Sequence, residues 1–288
     1  TDQCDLIIAL GCRLAPTLCM GNPKLFAKNA KIISINNDPE ELKLQLRKID
    51  YKINDELNNF LPKLSIFLVK KKIKSFNSWI KKCSEIKKNN YIKNIFSKKN
   101  PIDLYRFMYL LDKNAPKKSI MVTDAGSNYY IGGQAWFFQN QQSEISSTTN
   151  AAMGLSVPLS IGAAIAKKDK CVLSVTGDGS IELNVQELKT ISHYKLNIKT
   201  FVINNGGYVS MKKWQDNFFR GNLLDTEELT GVGTLIFRDI AKAFGLKYML
   251  IKKEKDINKQ LKSCFKNDLP YLIEVMTDPF QKIYGKEF

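Results

Sequence analysis

Short runs of apolar and β-branched residues alternate along this chain with stretches of helical spacing. Cys171 to Thr176 (CVLSVT) and Lys199 to Asn204 (KTFVIN) are such runs, and the residues between them have helical spacing up to about His193. A strand, a helix and a second strand form a right-handed βαβ unit with the two strands parallel in one sheet. We therefore predict an α/β fold, a parallel sheet flanked by helices.

The same pattern predicts further elements on both sides of this unit. Near the start of the chain, Asp5 to Leu10 (DLIIAL) and Lys31 to Asn36 (KIISIN) read as parallel strands of a Rossmann-like sheet, of which about half is visible. Ile120 to Asn128 (IMVTDAGSN) reads as a buried strand that ends in a turn. The final strand is predicted over Tyr271 to Met276, and a helix over Ile102 to Leu111.

These elements divide the chain into three parts. Residues 1–70 are predicted to be the C-terminal half of a Rossmann-like domain, and residues 101–288 a second α/β domain that begins at Pro101. Residues 71–100 are rich in lysine, with apolar residues at helical intervals. We expect this segment to be a helical connector.

A candidate metal site follows the two strands of the βαβ unit. Gly177-Asp178-Gly179 comes after the first strand and Asn204-Asn205 ends the second, with 24 residues between the two motifs. The carboxyl ends of parallel strands meet at one edge of a sheet, where open α/β sheets bind ligands. Asp178, Asn205 and the carbonyl of Gly207 offer the hard oxygens that Mg²⁺ prefers. Gly177 and Gly179 let phosphate approach the backbone, and Ser180 and the first helical amides offer donors.

The GDG motif, a gap of this size and then NN resemble the signature of thiamine-diphosphate-dependent enzymes. The segment from Asn150 to Lys167 (NAAMGLSVPLSIGAAIAK) is similar to the corresponding part of acetolactate synthase large subunits. The resemblance implies the thiamine-diphosphate-binding fold, with thiamine diphosphate and Mg²⁺ as cofactors. It also implies that pyruvate is decarboxylated and that its two-carbon unit is joined to a second 2-keto acid.

The resemblance assigns roles to residues around the motif. Met153 props the cofactor in a bent shape, and the carbonyl of Ala151, where the family more often has Gly, accepts from its aminopyrimidine. Ser127 and Asn128 contact the terminal phosphate, where the family commonly has Gln-His, and Tyr208 lies among the cofactor contacts. An ordinary turn at 127–128, and core packing for Met153, are the structural alternatives.

Gly207 to Phe219 (GYVSMKKWQDNFF) is aromatic and basic, as a loop that closes over a substrate would be. Trp214 matches the acetolactate synthase tryptophan that lines the acceptor pocket, although a tryptophan here is also compatible with core packing. This segment also resembles relatives that pass an acyl unit from pyruvate to a keto-sugar nucleotide. The identity of the acceptor substrate therefore stays open. A module that binds the cofactor without catalysing a reaction is the other alternative for the function.

Residues 1–70 resemble the second half of the acetolactate synthase central domain, which often holds FAD. Gly11-Cys12-Arg13-Leu14 stands where that family has G-A-R-F, and Arg13 is a candidate partner for a phosphate. Ala15 and Pro16 replace the acidic residues expected after the arginine, which argues against FAD.

The resemblance places this chain in the C-terminal portion of the enzyme. The pyrimidine-binding domain, which in the superfamily supplies the activating glutamate from the partner subunit, is then expected to lie before Thr1. Catalysis is expected to require that domain and a homodimer or tetramer, and the fragment alone is expected to be inactive.

Charge and cysteine content limit other functions. The net charge of +16 comes almost entirely from scattered lysines, and the aromatic and arginine-rich patterns of nucleic-acid binding are missing. We expect a solvated lysine-rich surface and no nucleic-acid partner. The six cysteines form no CxxC pair and no run of 18 apolar residues occurs, so we expect a reduced cytoplasmic setting and no membrane partner.

Overall fold

The computed structural model describes residues 3–15, 18–19, 23–44, 47–71, 75–88, 101–138, 140–147 and 150–283. The chain forms two compact units, which divide near residue 89. Each unit is described separately below.

The first unit contains a three-stranded parallel sheet. Strands β1 (Leu6–Leu10) and β2 (Lys31–Asn36) pair in parallel as predicted, and β3 (Tyr51–Asn54) pairs with the other side of β2. The sequence analysis missed β3, because its four residues YKIN carry little apolar signal and are mostly exposed. The small core contains Ala9, Leu14, Cys19, Ile32 and Ile49.

This unit also contains three helices, one between β2 and β3 and two after β3. Helix α1 (Pro39–Lys43) begins where the side chain of Asp38 accepts a hydrogen bond of 2.8 Å from the amide of Glu40. Helices α2 (Leu57–Lys70) and α3 (Asn77–Lys88) complete the unit. Helix α3 lies within the segment 71–100, which was predicted to be a helical connector, and it belongs to the first compact unit. Residues 89–100 lie outside the described residues.

The second unit is built on a six-stranded sheet whose paired strands are all parallel. Its order is β5-β4-β6-β7-β9-β8. The strands are β4 (Ile120–Thr123), β5 (Ser143–Ser146), β6 (Val172–Gly177), β7 (Ile198–Asn204), β8 (Lys247–Ile251) and β9 (Tyr271–Met276). The predicted parallel pairing of β6 with β7 is confirmed, with Gly177 beside Ile203.

Helices cover both faces of this sheet, because alternate strand residues are apolar on opposite sides. Leu173, Val175 and Phe201 belong to one buried cluster, and Val172 and Val202 to the other. The helices are α4 (Leu104–Asn114), α5 (Gly126–Ala135), α6 (Ser156–Ala166), α7 (Asp178–Ile181), α8 (Leu188–His193), α9 (Val209–Phe218), α10 (Phe237–Phe244) and α11 (Ile257–Cys264). No helix in the described part of the chain has the length and apolarity needed to span a bilayer.

Two predicted elements differ from the structure. The helix expected from the GDG motif to His193 is divided into α7, a 3₁₀ segment (Glu182–Glu187) and α8, with a non-helical residue at Asn184. The side chain of Asn184 donates to the carbonyl of Gly154 at 3.0 Å, which explains the break. The expectation of a loop over 207–219 is wrong, since most of that segment is α9.

Candidate functional site

The carboxyl ends of β6 and β7 bring the two sequence motifs together around Asp178. Its Oδ2 accepts hydrogen bonds from the backbone amides of Asn205 (3.1 Å), Gly206 (2.8 Å) and Gly207 (3.0 Å). Its Oδ1 accepts one from Gly179 at 2.9 Å. The parallel register of β6 and β7 places these amides within reach of one carboxylate.

Asp178 is only 1% exposed, and its environment acts on its pKa in two directions. Burial raises the pKa of this carboxyl, while the hydrogen bonds from Gly207, Gly179, Gly206 and Asn205 lower it, with burial the larger effect. A cation bound to Oδ1 would compensate the buried negative charge. Oδ2 therefore fixes the loop that follows β7, whereas Oδ1 accepts a hydrogen bond from Gly179.

Asn205 is the second oxygen donor beside the GDG motif. It is buried, and its Oδ1 has no hydrogen-bond partner among the described residues. The third predicted donor, the carbonyl of Gly207, accepts a hydrogen bond of 3.2 Å from the amide of Val209. A carboxylate, an amide oxygen and a backbone carbonyl are hard donors, so these residues fit Mg²⁺.

Two glycines of the motifs are required by close contacts. A Cβ at Gly179 would lie 2.2 Å from Cε1 of Tyr208, so the tyrosine ring packs directly on the backbone there. Gly207 has a φ of +123°, and a Cβ would lie 2.4 Å from the carbonyl oxygen of Thr226. Gly177 has an ordinary φ of −80° and no such contact, so the structure shows no steric need for glycine there.

A fully buried carboxylate that the sequence analysis did not single out, Asp124, joins the segments of this site. Its Oδ2 accepts from the hydroxyls of Thr176 (2.8 Å) and Ser180 (2.7 Å). Its Oδ1 accepts from the amide of Ala125 (2.7 Å) and from Nδ2 of Asn128 (3.0 Å). Asp124 follows β4 as Asp178 follows β6, and that shared position after a buried strand was the available signal.

Ser180 and Asn128 use their side-chain donors within the protein. The Ser180 hydroxyl donates to Asp124 and accepts from the amide of Gly154 at 2.8 Å. Both amide hydrogens of Asn128 are taken, one by Asp124 and one by the carbonyl of Val175 at 3.1 Å. Their side chains therefore fix the site, which leaves the hydroxyl of Ser127 and the backbone amides at the start of α5 as candidate phosphate donors.

A cavity of about 200 Å³ lies between these segments. It brings together most of the predicted site residues: Ser127, Asn128, Met153, Gly177, Asp178, Gly179, Ser180, Asn205, Gly207 and Tyr208. Ala151 and Trp214 do not line it. The turn that carries Met153 is tied to the GDG segment through Gly154, which bonds to both Ser180 and Asn184.

The two remaining predicted residues lie outside this cavity. Ala151 has a positive φ of 45°, a conformation that favours glycine, and the resemblance had indicated glycine as the more usual residue there. Trp214 lies on α9, is 44% exposed, and contacts the rings of Phe218 and Phe219 at centroid distances of 4.8 Å and 5.7 Å. In the first unit, Arg13 is an exposed cation 3.6 Å from Glu41.

Comparison with known proteins gives the family. Residues 124–275 match the thiamine pyrophosphate enzyme C-terminal TPP binding domain, and residues 1–64 match the central domain of the same enzymes. The chain belongs to the thiamine pyrophosphate enzyme family. The central-domain match lies within the first compact unit, and the TPP-binding match lies within the second. The resemblance drawn from the GDG and NN motifs is confirmed.

Several curated proteins similar to this chain are named as acetolactate synthase large subunits. The chain is 31% identical to the probable acetolactate synthase large subunit of Methanocaldococcus jannaschii, over 98% of this chain and 48% of that protein. It is 27% identical to the acetolactate synthase isozyme 2 large subunit of Escherichia coli K12, over 98% of this chain and 50% of that protein. The chain thus spans about half the length of these curated relatives.

A solved structure supports the fold. The thiamine diphosphate-dependent 4-hydroxybenzoylformate decarboxylase of Rhodococcus jostii RHA1 is similar with a TM-score of 0.71, over 95% of this chain and 49% of that chain. The sequence identity is 20%, so this likeness shows the fold alone.

Proposed function

We propose that this chain holds the diphosphate end of thiamine diphosphate through Mg²⁺, in an enzyme that decarboxylates pyruvate and joins the two-carbon unit to a second 2-keto acid. The observation that carries the site is the buried, unpartnered Oδ1 of Asn205 next to Asp178. A buried acceptor without a donor is costly, and a bound cation would satisfy it. The acetolactate synthase names of the relatives support the reaction.

The described donors suit a cation that shares its shell with phosphate and water. No group of three or more His, Cys, Asp or Glu side chains in the described part of the chain could hold a metal ion alone. Mg²⁺ usually takes only one or two carboxylates and fills its shell with phosphate oxygens and water. Asp178, Asn205 and the Gly207 carbonyl would therefore hold the ion jointly with a diphosphate.

Each residue group contributes a separate part of the mechanism. When bound, thiamine diphosphate supplies the nucleophilic carbon and accepts the electron pair that decarboxylation leaves behind. Asp178 and Asn205 fix the diphosphate end, and backbone amides at the start of α5 offer donors to its outer oxygens. Met153, at the wall of the cavity, would support the bent form of the cofactor. The activating glutamate is expected from a pyrimidine-binding domain of a partner subunit in a dimer or tetramer.

FAD is not part of this proposal. Arg13, the candidate phosphate partner, is paired with Glu41 at the surface, and Ala15 stands in place of the first acidic residue. We also propose a cytoplasmic location, which the proposed reaction and the six free cysteines support.

A keto-sugar nucleotide is the second candidate acceptor. The sequence of residues 207–219 supports it, since this segment is similar to relatives that pass an acyl unit from pyruvate to a keto-sugar nucleotide. Mass analysis of the product formed from pyruvate with each acceptor separates the two reactions. A non-catalytic module would bind cofactor but form neither product.

The test uses the full-length protein with pyruvate, Mg²⁺ and thiamine diphosphate. We expect CO₂ release that depends on both cofactors. Asp178→Ala should abolish Mg²⁺-dependent cofactor binding, whereas the exposed control Asp169→Ala should bind as the wild type does. Cofactor binding that survives Asp178→Ala would remove the site assignment, and absence of CO₂ release would remove the reaction.

A further inference from the structure

The loop that carries Asn205 and Gly207 lies between two cavities. The cofactor cavity is lined by Asn205 and Gly207, and a second cavity of about 350 Å³ is lined by Asn204 to Gly207 together with Lys212 and Glu227. A loop with open space on two sides has few side-chain contacts to set its position. Its geometry must then depend on the hydrogen bonds and the backbone contacts that reach it.

One support comes from Asp178 and the other from the turn at residues 224–231. The amide of Tyr208 donates to the carbonyl of Thr226 at 2.9 Å, and Thr226 is 2% exposed. The same carbonyl oxygen lies where a Cβ of Gly207 would be. The carbonyl of Thr226 therefore packs directly against Gly207, whose own carbonyl is the proposed metal ligand.

The turn is held in shape by Thr230. Its Oγ1 accepts hydrogen bonds from the amides of Thr226 and Glu227, both at 3.1 Å. The hydroxyl also donates to the carbonyl of Glu227 at 3.1 Å. These bonds fix the two turn residues that face Gly207.

Two side chains on one face of helix α9 bind residues of the turn and so connect the turn to the loop. Lys212 forms an ion pair with Glu227, and both side chains are largely buried, at 19% and 24% exposed. Gln215 donates to the carbonyl of Leu224 and accepts from its amide, both at 3.0 Å. Helix α9 begins two residues after Gly207. The Lys212–Glu227 ion pair and the hydrogen bond from Tyr208 to Thr226 therefore connect the segment after Gly207 to the turn at two points.

We propose that the Lys212–Glu227 ion pair is a positioning device for the Gly207 carbonyl, and that it sets the preference of the site for Mg²⁺ over a larger divalent cation. This inference rests on the proposed function. Mg²⁺ requires nearly ideal octahedral geometry at about 2.0–2.1 Å, whereas Ca²⁺ accepts irregular shells at about 2.3–2.6 Å. Loosening one protein ligand should therefore weaken Mg²⁺ binding more than Ca²⁺ binding.

The test measures thiamine diphosphate affinity of the full-length protein by calorimetry, once with Mg²⁺ and once with Ca²⁺. Glu227→Gln and Lys212→Gln should each weaken the Mg²⁺-supported affinity by about 10-fold or more, as loss of an outer partner of a metal ligand commonly does. The Ca²⁺-supported affinity should fall less, so the ratio between the two ions shifts towards Ca²⁺. The double variant should lose no more than Lys212→Gln does, because Lys212→Gln already removes the ion pair together with the contact of Nζ with the Phe280 ring.

Glu228→Gln and Lys213→Gln are the matched controls, each a neighbour with the same change of charge, and neither should shift the ratio. Thermal unfolding of the metal-free variants reports folding separately. An equal loss of affinity with both ions, or no loss, overturns the positioning role. If the wild type shows no Mg²⁺-dependent binding, the proposed function itself fails, and that outcome is distinct from a wild type that binds while the variants match it.

Discussion

The hydroxyl of Ser180 donates a hydrogen bond of 2.7 Å to Oδ2 of Asp124, across 56 residues of sequence. This bond joins the end of β4 to the segment that follows β6. The same serine accepts a hydrogen bond from the amide of Gly154, and Asp124 accepts one from Asn128 on α5. The GDG motif, the turn of Met153 and the start of α5 are therefore joined by one hydrogen-bonded centre.

Ser180→Ala should reduce the free energy of unfolding by about 1–3 kcal/mol, because it removes a bond to a buried carboxyl and leaves the amide of Gly154 without its acceptor. Chemical denaturation measures this effect. Ser192→Ala is the matched control, since the Ser192 hydroxyl makes a weaker bond of 3.4 Å near the surface. Equal stability of the Ser180 and Ser192 variants would contradict the central role of Asp124.

Gly207→Ala should be strongly destabilising, since it adds a methyl group 2.4 Å from the Thr226 carbonyl oxygen at a φ of +123°. Backbone strain alone costs about 1–3 kcal/mol, and the steric clash adds to it. Gly206→Ala separates the two effects, because Gly206 has a φ of +79° but nothing within 4 Å of its Cβ position. Denaturation should place Gly206→Ala between the wild type and Gly207→Ala, and the reverse order would contradict the close contact.

Trp214→Phe should leave stability within about 0.5 kcal/mol of the wild type, because the side chain is 44% exposed. Cofactor affinity should also be unchanged, since Trp214 does not line the described cavity. The expected effect is on the ratio of products formed from two competing acceptors, which mass analysis measures. An unchanged product ratio would remove Trp214 from acceptor selection.

Cys171 and Cys264 should resist alkylation in the folded protein. Burial raises the pKa of each thiol from 9.0 to about 12, while the nearby Lys199 cation lowers it by less. Mass spectrometry after iodoacetamide treatment at pH 9 should find label on the exposed Cys83 and little on these two. Rapid labelling of Cys171 or Cys264 without unfolding would contradict their burial.

The raised pKa of Cys171 and of Cys264 predicts how the free energy of unfolding changes at alkaline pH. Since the folded-state pKa lies above the unfolded value, the fold favours the protonated thiols. Their contribution is fully present below pH 9 and is lost as the pH rises towards about 12. Replacing both residues with serine, which does not ionise in this range, should flatten that part of the stability profile.

Much of the fold was predictable from local pattern. The strands β1, β2, β6, β7 and β9 are apolar runs with clear ends, and the right-handed crossover rule places β6 beside β7. The short polar strand β3 lacked this signal. The break at Asn184 was invisible as well, because it depends on a hydrogen bond to Gly154, which is distant in sequence.

The candidate site likewise contains some features that the sequence predicted and others that it could not predict. The GDG and NN motifs predicted that Asp178 and Asn205 would meet, since strand order and spacing alone bring them together. The roles of Asp124 and Thr226 could not be predicted, because they arise from contacts between segments that no motif links. Trp214 and Ala151 were assigned by resemblance, and the structure places both outside the cavity.

Asn205→Ala, compared with Asn204→Ala, is the decisive comparison for the proposed Mg²⁺ site. Asn204 donates to Glu274 at 2.7 Å and accepts from the amide of Gly206, so Asn204→Ala should cost about 1 kcal/mol of stability. Asn205 has an unpartnered Oδ1, so Asn205→Ala should leave the metal-free protein within about 0.5 kcal/mol of the wild type. Calorimetry of the full-length protein should show that Asn205→Ala nonetheless loses Mg²⁺-dependent thiamine diphosphate binding by more than about 10-fold. Wild-type Mg²⁺ dependence in Asn205→Ala would contradict the account.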